Sequence, residues 1–207
     1  RPIASLLLGV AFLLAGNGLQ FTLIPLRGAA EGFSSLEIGV IGSAYYLGFV
    51  GGCLLGPYTI LSAGHIRAFA ALVALAVSVA LAYVLAPNVY AWMGFRMVNG
   101  FCLAGIYLVI ESWLNDRATN ENRGLVMSAY VIVNFAAFTV GQLLVTIYPI
   151  EAAGSFMIAA MLASLAIIPV ALTRSAQPAT PPSRTISALS STVAASPSLC
   201  AARRARC

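Results

Sequence analysis

Tyr90-Ala-Trp-Met-Gly-Phe-Arg96-Met-Val-Asn99-Gly100-Phe-Cys-Leu-Ala-Gly-Ile-Tyr107-Leu-Val-Ile110, followed at once by Glu111-Ser-Trp-Leu-Asn-Asp-Arg-Ala-Thr-Asn-Glu-Asn-Arg-Gly124, joins a long apolar run to a charged connection. The run exceeds the roughly 20 residues that a helix rising 1.5 Å per residue needs to cross about 30 Å of hydrocarbon. Five more runs of that length surround it, at Ile3–Pro25, Leu36–Leu61, Ile66–Ala86, Gly124–Tyr148 and Ala152–Leu172. They are continuous and rich in Ala, Leu and Gly, without the alternation of a membrane strand, so six transmembrane helices are predicted.

Composition agrees. With 60% hydrophobic residues, 8% charged residues and a mean hydropathy of +0.94, a soluble chain would have too little polar surface. The first run lacks a basic cluster and five others follow it, so it reads as a retained span and not a cleaved leader. The chain opens on Arg1, which suggests a start further upstream.

All 11 basic residues are Arg. If the spans alternate, Arg1, Arg67, Arg117, Arg123 and the five Arg beyond Leu172 fall on one side, Arg27 falls opposite, and Arg96 lies inside the fourth span. The positive-inside bias then places both termini in the cytoplasm. The net charge of +5 is accounted for by that asymmetry and calls for no nucleic-acid partner. Cys53 and Cys102 lie in spans, Cys200 and Cys207 near the C-terminus, and neither pair has metal-site spacing. With His65 the only His, no metal, cofactor or histidine-based catalysis is expected.

The chemistry is carried by polar residues inside the spans. In the fourth, Arg96, Asn99, Leu103, Tyr107 and Glu111 recur at helical spacing and share one face about 120° wide. An Arg this deep costs about 2.5 to 3.5 kcal/mol on insertion scales, so it is expected to face a bundle interior or a wet cavity. The competing reading is an anchor that snorkels to the outer headgroups. Glu111, at the inner end, either serves the cavity or pairs with Arg117. Asn17 and Gln20 in the first span are the preferred companions of Arg96 and Asn99 along that cavity, whereas Tyr45, Tyr46, Asn134 and Gln142 read as glue between helices. In the second span, Gly48, Gly52 and Gly56 form a stripe that invites close approach by a partner helix.

These features resemble the N-terminal half of a major facilitator superfamily transporter over about residues 1–172. The resemblance rests on Arg96-Met-Val-Asn-Gly100 with Ala104-Gly105 in helix four, and on Gly56-Pro-Tyr-Thr-Ile-Leu-Ser-Ala-Gly64-His65-Ile-Arg67 in place of that family's loop between helices two and three. In that loop Gly56, Gly64, His65 and Arg67 match glycine and basic positions, the spacing is one residue longer, and the acidic residue is absent. Gly64-His-Ile-Arg-Ala-Phe69 is similar to the loop of a poorly characterised bacterial branch. The resemblance implies an all-α fold with six transmembrane helices as a 3+3 inverted repeat, a location in the bacterial inner membrane, and secondary transport of a small solute, with protons as the coupling ion. For Arg96 alone it also implies a role in proton coupling or substrate charge; the residue pattern itself adds the expectation that Asn17, Gln20, Asn99 and Tyr107 line the cavity with Glu111 beside them. The Gly-Pro signature of drug antiporters is missing from helix five.

Such transporters have two six-helix halves, and only one is legible here, so a second half is an implied partner, separate or supplied by dimerisation, and the glycine stripe is expected to lie exposed. From Thr173 to Cys207, 28 of 35 residues are Ala, Ser, Pro, Thr or Arg, which predicts a disordered cytoplasmic tail, either surface-binding or translated out of frame. An intramembrane serine protease is disfavoured, since Gly42-Ser43-Ala44-Tyr45 lacks the Gly-x-Ser-Gly pattern and His65 lies in a loop. An oligomeric six-helix channel or scaffold without transport of its own is the alternative.

Overall fold

The computed structural model describes residues 2–150 and 152–171, all of them helical or in short connections. The helices are α1 (Pro2–Ala30), α2 (Ser35–Ala63), α3 (His65–Leu85), α4 (Val89–Arg117), α5 (Arg123–Leu143), α6 (Gly154–Leu165) and α7 (Ile167–Ala171), with a 3-10 turn at Leu144–Thr146 after α5. The expected tail, 173–207, lies outside the described residues.

The ends of the helices follow local chemistry. Ser34 starts α2 with a capping box, its Oγ accepting from Glu37 N at 3.3 Å while Glu37 Oε2 accepts from Ser34 N at 2.7 Å. Asn88 caps α4 through Ala91 N at 2.8 Å. A single residue, Gly64, connects α2 to α3, and its φ of 82° is a left-handed conformation that favours glycine. The loop expected from Gly56 to Arg67 is therefore helix on both sides of one turn residue.

Three boundaries differ from the sequence reading. Helix α1 continues through Pro25 to Ala30, because neighbouring groups in a bundle absorb the missing N–H. Helix α4 continues to Arg117, so Glu111 lies on a helix that outruns the apolar core: 29 residues span about 44 Å against about 30 Å of hydrocarbon. The sixth span is interrupted at Ala166, one turn before Pro169, whose ring opposes the carbonyl four residues back. Five helices are thus long and apolar enough to cross a membrane, and Gly154–Val170 is a shorter apolar segment.

The packing reproduces the expected inverted repeat. The principal contacts are α2 with α4, α1 with α5, α3 with α4, α1 with α6, and α3 with α6. Exchanging each of the first three helices with the helix three places on maps this set onto itself. The two main crossings match in detail. Where α2 meets α4, a Cβ on Gly48 would overlap the Met97 carbonyl and one on Gly100 the Tyr45 carbonyl. Where α5 meets α1, a Cβ on Gly141 would overlap the Ala15 carbonyl and one on Gly18 the Phe138 carbonyl. In all four places the glycine follows the opposing carbonyl's partner residue on its own helix by three positions.

The glycine stripe is therefore buried and not exposed. Gly48, Gly52 and Gly56 lie against α4, a Cβ on Gly52 falling 2.7 Å from Ala104 Cβ and one on Gly56 falling 2.7 Å from Leu108 Cδ1. The partner helix belongs to the same half, because backbone-to-backbone packing is what holds helices together where lipid is as apolar as they are. Around these crossings, one core cluster gathers Leu6, Val10, Phe69, Val73, Cys102 and Trp113, and a second gathers Leu23, Tyr83, Trp92 and Phe156. Helices α1 and α4 are the most enclosed, while α2 and α5 turn large apolar side chains such as Leu54, Tyr58 and Ile132 outward.

Candidate functional site

Asn17, Gln20, Arg96 and Asn99 are four of the five buried polar or charged residues among those described. They meet between α1 and α4, at the centre of the bundle. Asn99 Nδ2 donates to Gln20 Oε1 at 2.8 Å, and Asn17 lies beside the Tyr45 hydroxyl. The repeat relation explains why these two helices both supply the polar core. Asn17-Gly18 and Asn99-Gly100 occupy equivalent steps, each glycine at a crossing and each Asn turned toward the middle.

Arg96 does not snorkel. It is 3% exposed, and its Cζ lies 5.3 Å from the ring centroids of both Phe21 and Tyr45. Its Nε and Nη1 have no hydrogen-bond partner, and it enters no ion pair among the described residues, unlike Arg27, which pairs with Glu31 at 2.5 Å. Two aromatic faces stand in for a carboxylate. A desolvated cation–π contact is worth about 2 kcal/mol, so two of them offset much of the insertion cost. Phe21 was missed by sequence reasoning, although it follows Asn17 by one helical turn. Tyr45, whose place in the sequence suggests interhelical glue, is also a wall of this cage.

A second feature lies toward the Glu111 end of the bundle. A cavity of about 560 Å³ opens between α2, α4 and α5, with Leu14 of α1 at its back. Tyr107 and Glu111 line it, together with Phe49, Tyr130, Asn134, Phe135 and Phe138. Tyr107 donates to Asn134 Oδ1 at 3.4 Å, and Asn134 Nδ2 donates to the Tyr130 carbonyl at 3.0 Å. Of the six residues expected to serve one cavity, Tyr107 and Glu111 are on its wall. Asn17, Gln20, Arg96 and Asn99 do not line it; they cluster between α1 and α4, where Asn99 and Gln20 are hydrogen-bonded. A row of rings lies between the two groups: Tyr45 lies 6.2 Å from Phe49, which lies 6.4 Å from Tyr107.

The turn between α2 and α3 sits at this same end. His65 Nε2 and Ser112 Oγ are 3.2 Å apart, which ties the start of α3 to α4 one residue past Glu111. Arg67 is exposed, and Gly56 belongs to the α2–α4 crossing and not to the turn.

The model of the Major Facilitator Superfamily matches residues 6–204. This chain belongs to the major facilitator superfamily. Among its relatives are the uncharacterized MFS-type transporters YcaD of Escherichia coli O81 (strain ED1a) and of Escherichia coli strain SMS-3-5. Each is 34% identical over 148 residues, which is 70% of this chain and 38% of the relative. The match thus spans well under half the length of these relatives. The solved structure of the human organic anion transporter MFSD10 superimposes with a TM-score of 0.70 at 16% identity, over 86% of this chain and 48% of that one. That likeness shows the fold, a six-helix half; the family match and the long apolar helices make the chain a multi-pass membrane protein. Within it, the helix-four Arg-x-x-x-Gly residues have distinct jobs, Arg96 entering the aromatic cage and Gly100 forming the crossing with α2.

Proposed function

We propose that this chain is the N-terminal bundle of a proton-coupled secondary transporter in the bacterial inner membrane, with both termini cytoplasmic. A small solute is held at the cavity between α2, α4 and α5, where Tyr107 and Glu111 meet it. The observation that carries the reading is Arg96, a buried cation without a carboxylate, one layer of rings away from a cavity of about 560 Å³. A volume in that range fits a metabolite-sized molecule. A guanidinium held only by ring faces is sensitive to charge arriving nearby, so protons or solute entering the cavity shift the balance between covered and hydrated Arg96. Beside Arg96, Asn99 and Gln20 are hydrogen-bonded to each other while Asn17 Oδ1 is without a partner, a buried acceptor that the changing balance can engage. The turn at Gly64, with His65 and Arg67 in the first turn of α3, transmits the change to α3 and α4.

Alternating access requires one bundle to rock against another, so a second six-helix half, from another polypeptide or a second copy, completes the machine. The test is co-reconstitution with the C-terminal half of the E. coli YcaD transporter in liposomes that hold a pH indicator, challenged with a panel of organic cations and anions. The pair is expected to show solute-linked proton movement that Arg96→Ala abolishes, and the lone chain none. Flux that survives Arg96→Ala removes the coupling role, flux by the lone chain removes the need for a partner, and no flux by the pair removes the transport assignment.

A further inference from the structure

We infer that the cavity selects an organic cation carrying aryl or bulky alkyl groups, with the Glu111 carboxylate as its counter-charge. The inference rests on the reading of this cavity as the solute site, and adds the charge of the solute.

The wall has two components. Phe49, Tyr107, Tyr130, Phe135 and Phe138 supply aromatic faces, which attract a cation through their quadrupoles and solvate apolar substituents. Glu111 supplies the one ionisable carboxylate on the wall, and it forms no ion pair among the described residues. Among the described residues no arginine is on that wall. Arg96, which as a bare sequence feature would suggest an anion, is not on this wall, and its Cζ lies 5.3 Å from the ring centroids of Phe21 and Tyr45.

The neutral donors are largely used as well. The Tyr107 hydroxyl is donated to Asn134, and the Asn134 amide is donated to the Tyr130 carbonyl. The Tyr130 hydroxyl is buried beside Asn134 and presents no exposed donor to the cavity. An anion entering this space would exchange its hydration for ring faces and a carboxylate, both of which repel it. A quaternary cation, which needs no hydrogen bond, meets complementary charge on the rings and at Glu111.

The test uses two ions of the same shape and opposite charge, tetraphenylphosphonium and tetraphenylborate. The full 207-residue chain is placed in nanodiscs of uncharged lipid, and saturable binding is measured by equilibrium dialysis against empty discs, which removes partition into lipid. Two variants accompany it, Glu111→Gln and the cavity-filling Val131→Trp, each checked for unchanged helicity by circular dichroism. Tetraphenylphosphonium is expected to bind saturably, about tenfold more weakly to Glu111→Gln, and not at all to Val131→Trp, as loss of one charge partner and loss of the space require. Phosphonium binding that ignores Glu111→Gln but is lost in Val131→Trp, or borate binding lost in Val131→Trp, overturns the charge assignment and leaves the solute site standing. Absence of any saturable binding sensitive to Val131→Trp overturns both.

Discussion

Replacing Gly48 by alanine puts the packing at its tightest point under test. A Cβ there would overlap the Met97 carbonyl, and since both partners are backbone, no side-chain rotation relieves the contact. The α2–α4 crossing must open by about 1 Å, a gap that forfeits a quarter to a half of the dispersion energy of every atom pair across it. Overpacking of this kind typically costs about 1–3 kcal/mol, and the rigidity of both partners places Gly48→Ala at the upper end. The repeat relation extends the expectation to Gly100→Ala, Gly18→Ala and Gly141→Ala, each facing a carbonyl across a crossing. Gly39 and Gly42 on the same helix have open space where a Cβ would go, so alanine there is expected to stabilise by roughly 0.5–1 kcal/mol through helix propensity. Cys102 is fully buried and reports unfolding by reacting with a thiol-specific dye, once Cys53, Cys200 and Cys207 are replaced by serine. The measurement is the dye-monitored melting temperature in detergent for all six variants. If Gly48→Ala melts no lower than Gly39→Ala, the close crossing does not exist and the assigned helix pairing fails with it.

Removing one wall of the Arg96 cage by Phe21→Leu is expected to lower stability by about 2 kcal/mol, and Arg96→Met in the same background should recover most of it, since the cation that needed the ring is gone. A double-mutant cycle read by the same melts checks this, and additive effects would refute the cage. Asn99→Leu leaves Gln20 without its partner inside the bundle and should cost about 0.6 to 1.7 kcal/mol, whereas Asn99→Leu combined with Gln20→Leu should cost less than the single change. Gly64→Ala forces a side chain into the left-handed region and is expected to cost about 1–2 kcal/mol, detected as faster hydrogen exchange at the start of α3.

The long helices were legible because a bilayer demands uninterrupted apolar text with all backbone groups bonded internally, a constraint that Ala, Leu and Gly runs record directly. The inverted repeat was reached only through resemblance, and it becomes visible physically once Gly18 and Gly141 are seen to mirror Gly100 and Gly48. Which face a polar residue shares was also legible: spacing grouped Arg96 with Asn99, and Asn17 with Gln20. What that face touches was not. A helical stripe specifies a direction from its own axis, and whether another helix or open space lies there is decided by all the others, so spacing alone did not separate Tyr107 and Glu111, on the wall between α2, α4 and α5, from the four polar residues between α1 and α4. The stripe of Gly48, Gly52 and Gly56 posed the same question, and its answer, α4, lay within the half already in hand. Phe135 and Phe138 gave no signal because a cavity-lining aromatic and a lipid-facing one are written alike. The end of α4 escaped because helices of this length leave the membrane before they stop, and polarity marks the membrane's edge and not the helix's.

The one-residue link at Gly64 restricts mechanics more than any loop of ordinary length. One residue reaches at most about 3.6 Å, so α2 has almost no freedom to slide along the membrane normal relative to α3. His65 pins the head of α3 to α4, and the glycine seam fixes α4 to α2. The three therefore form a closed triangle of short tethers, a raft that tilts or turns only as a whole, and any displacement felt at Glu111 is carried rigidly to the opposite surface.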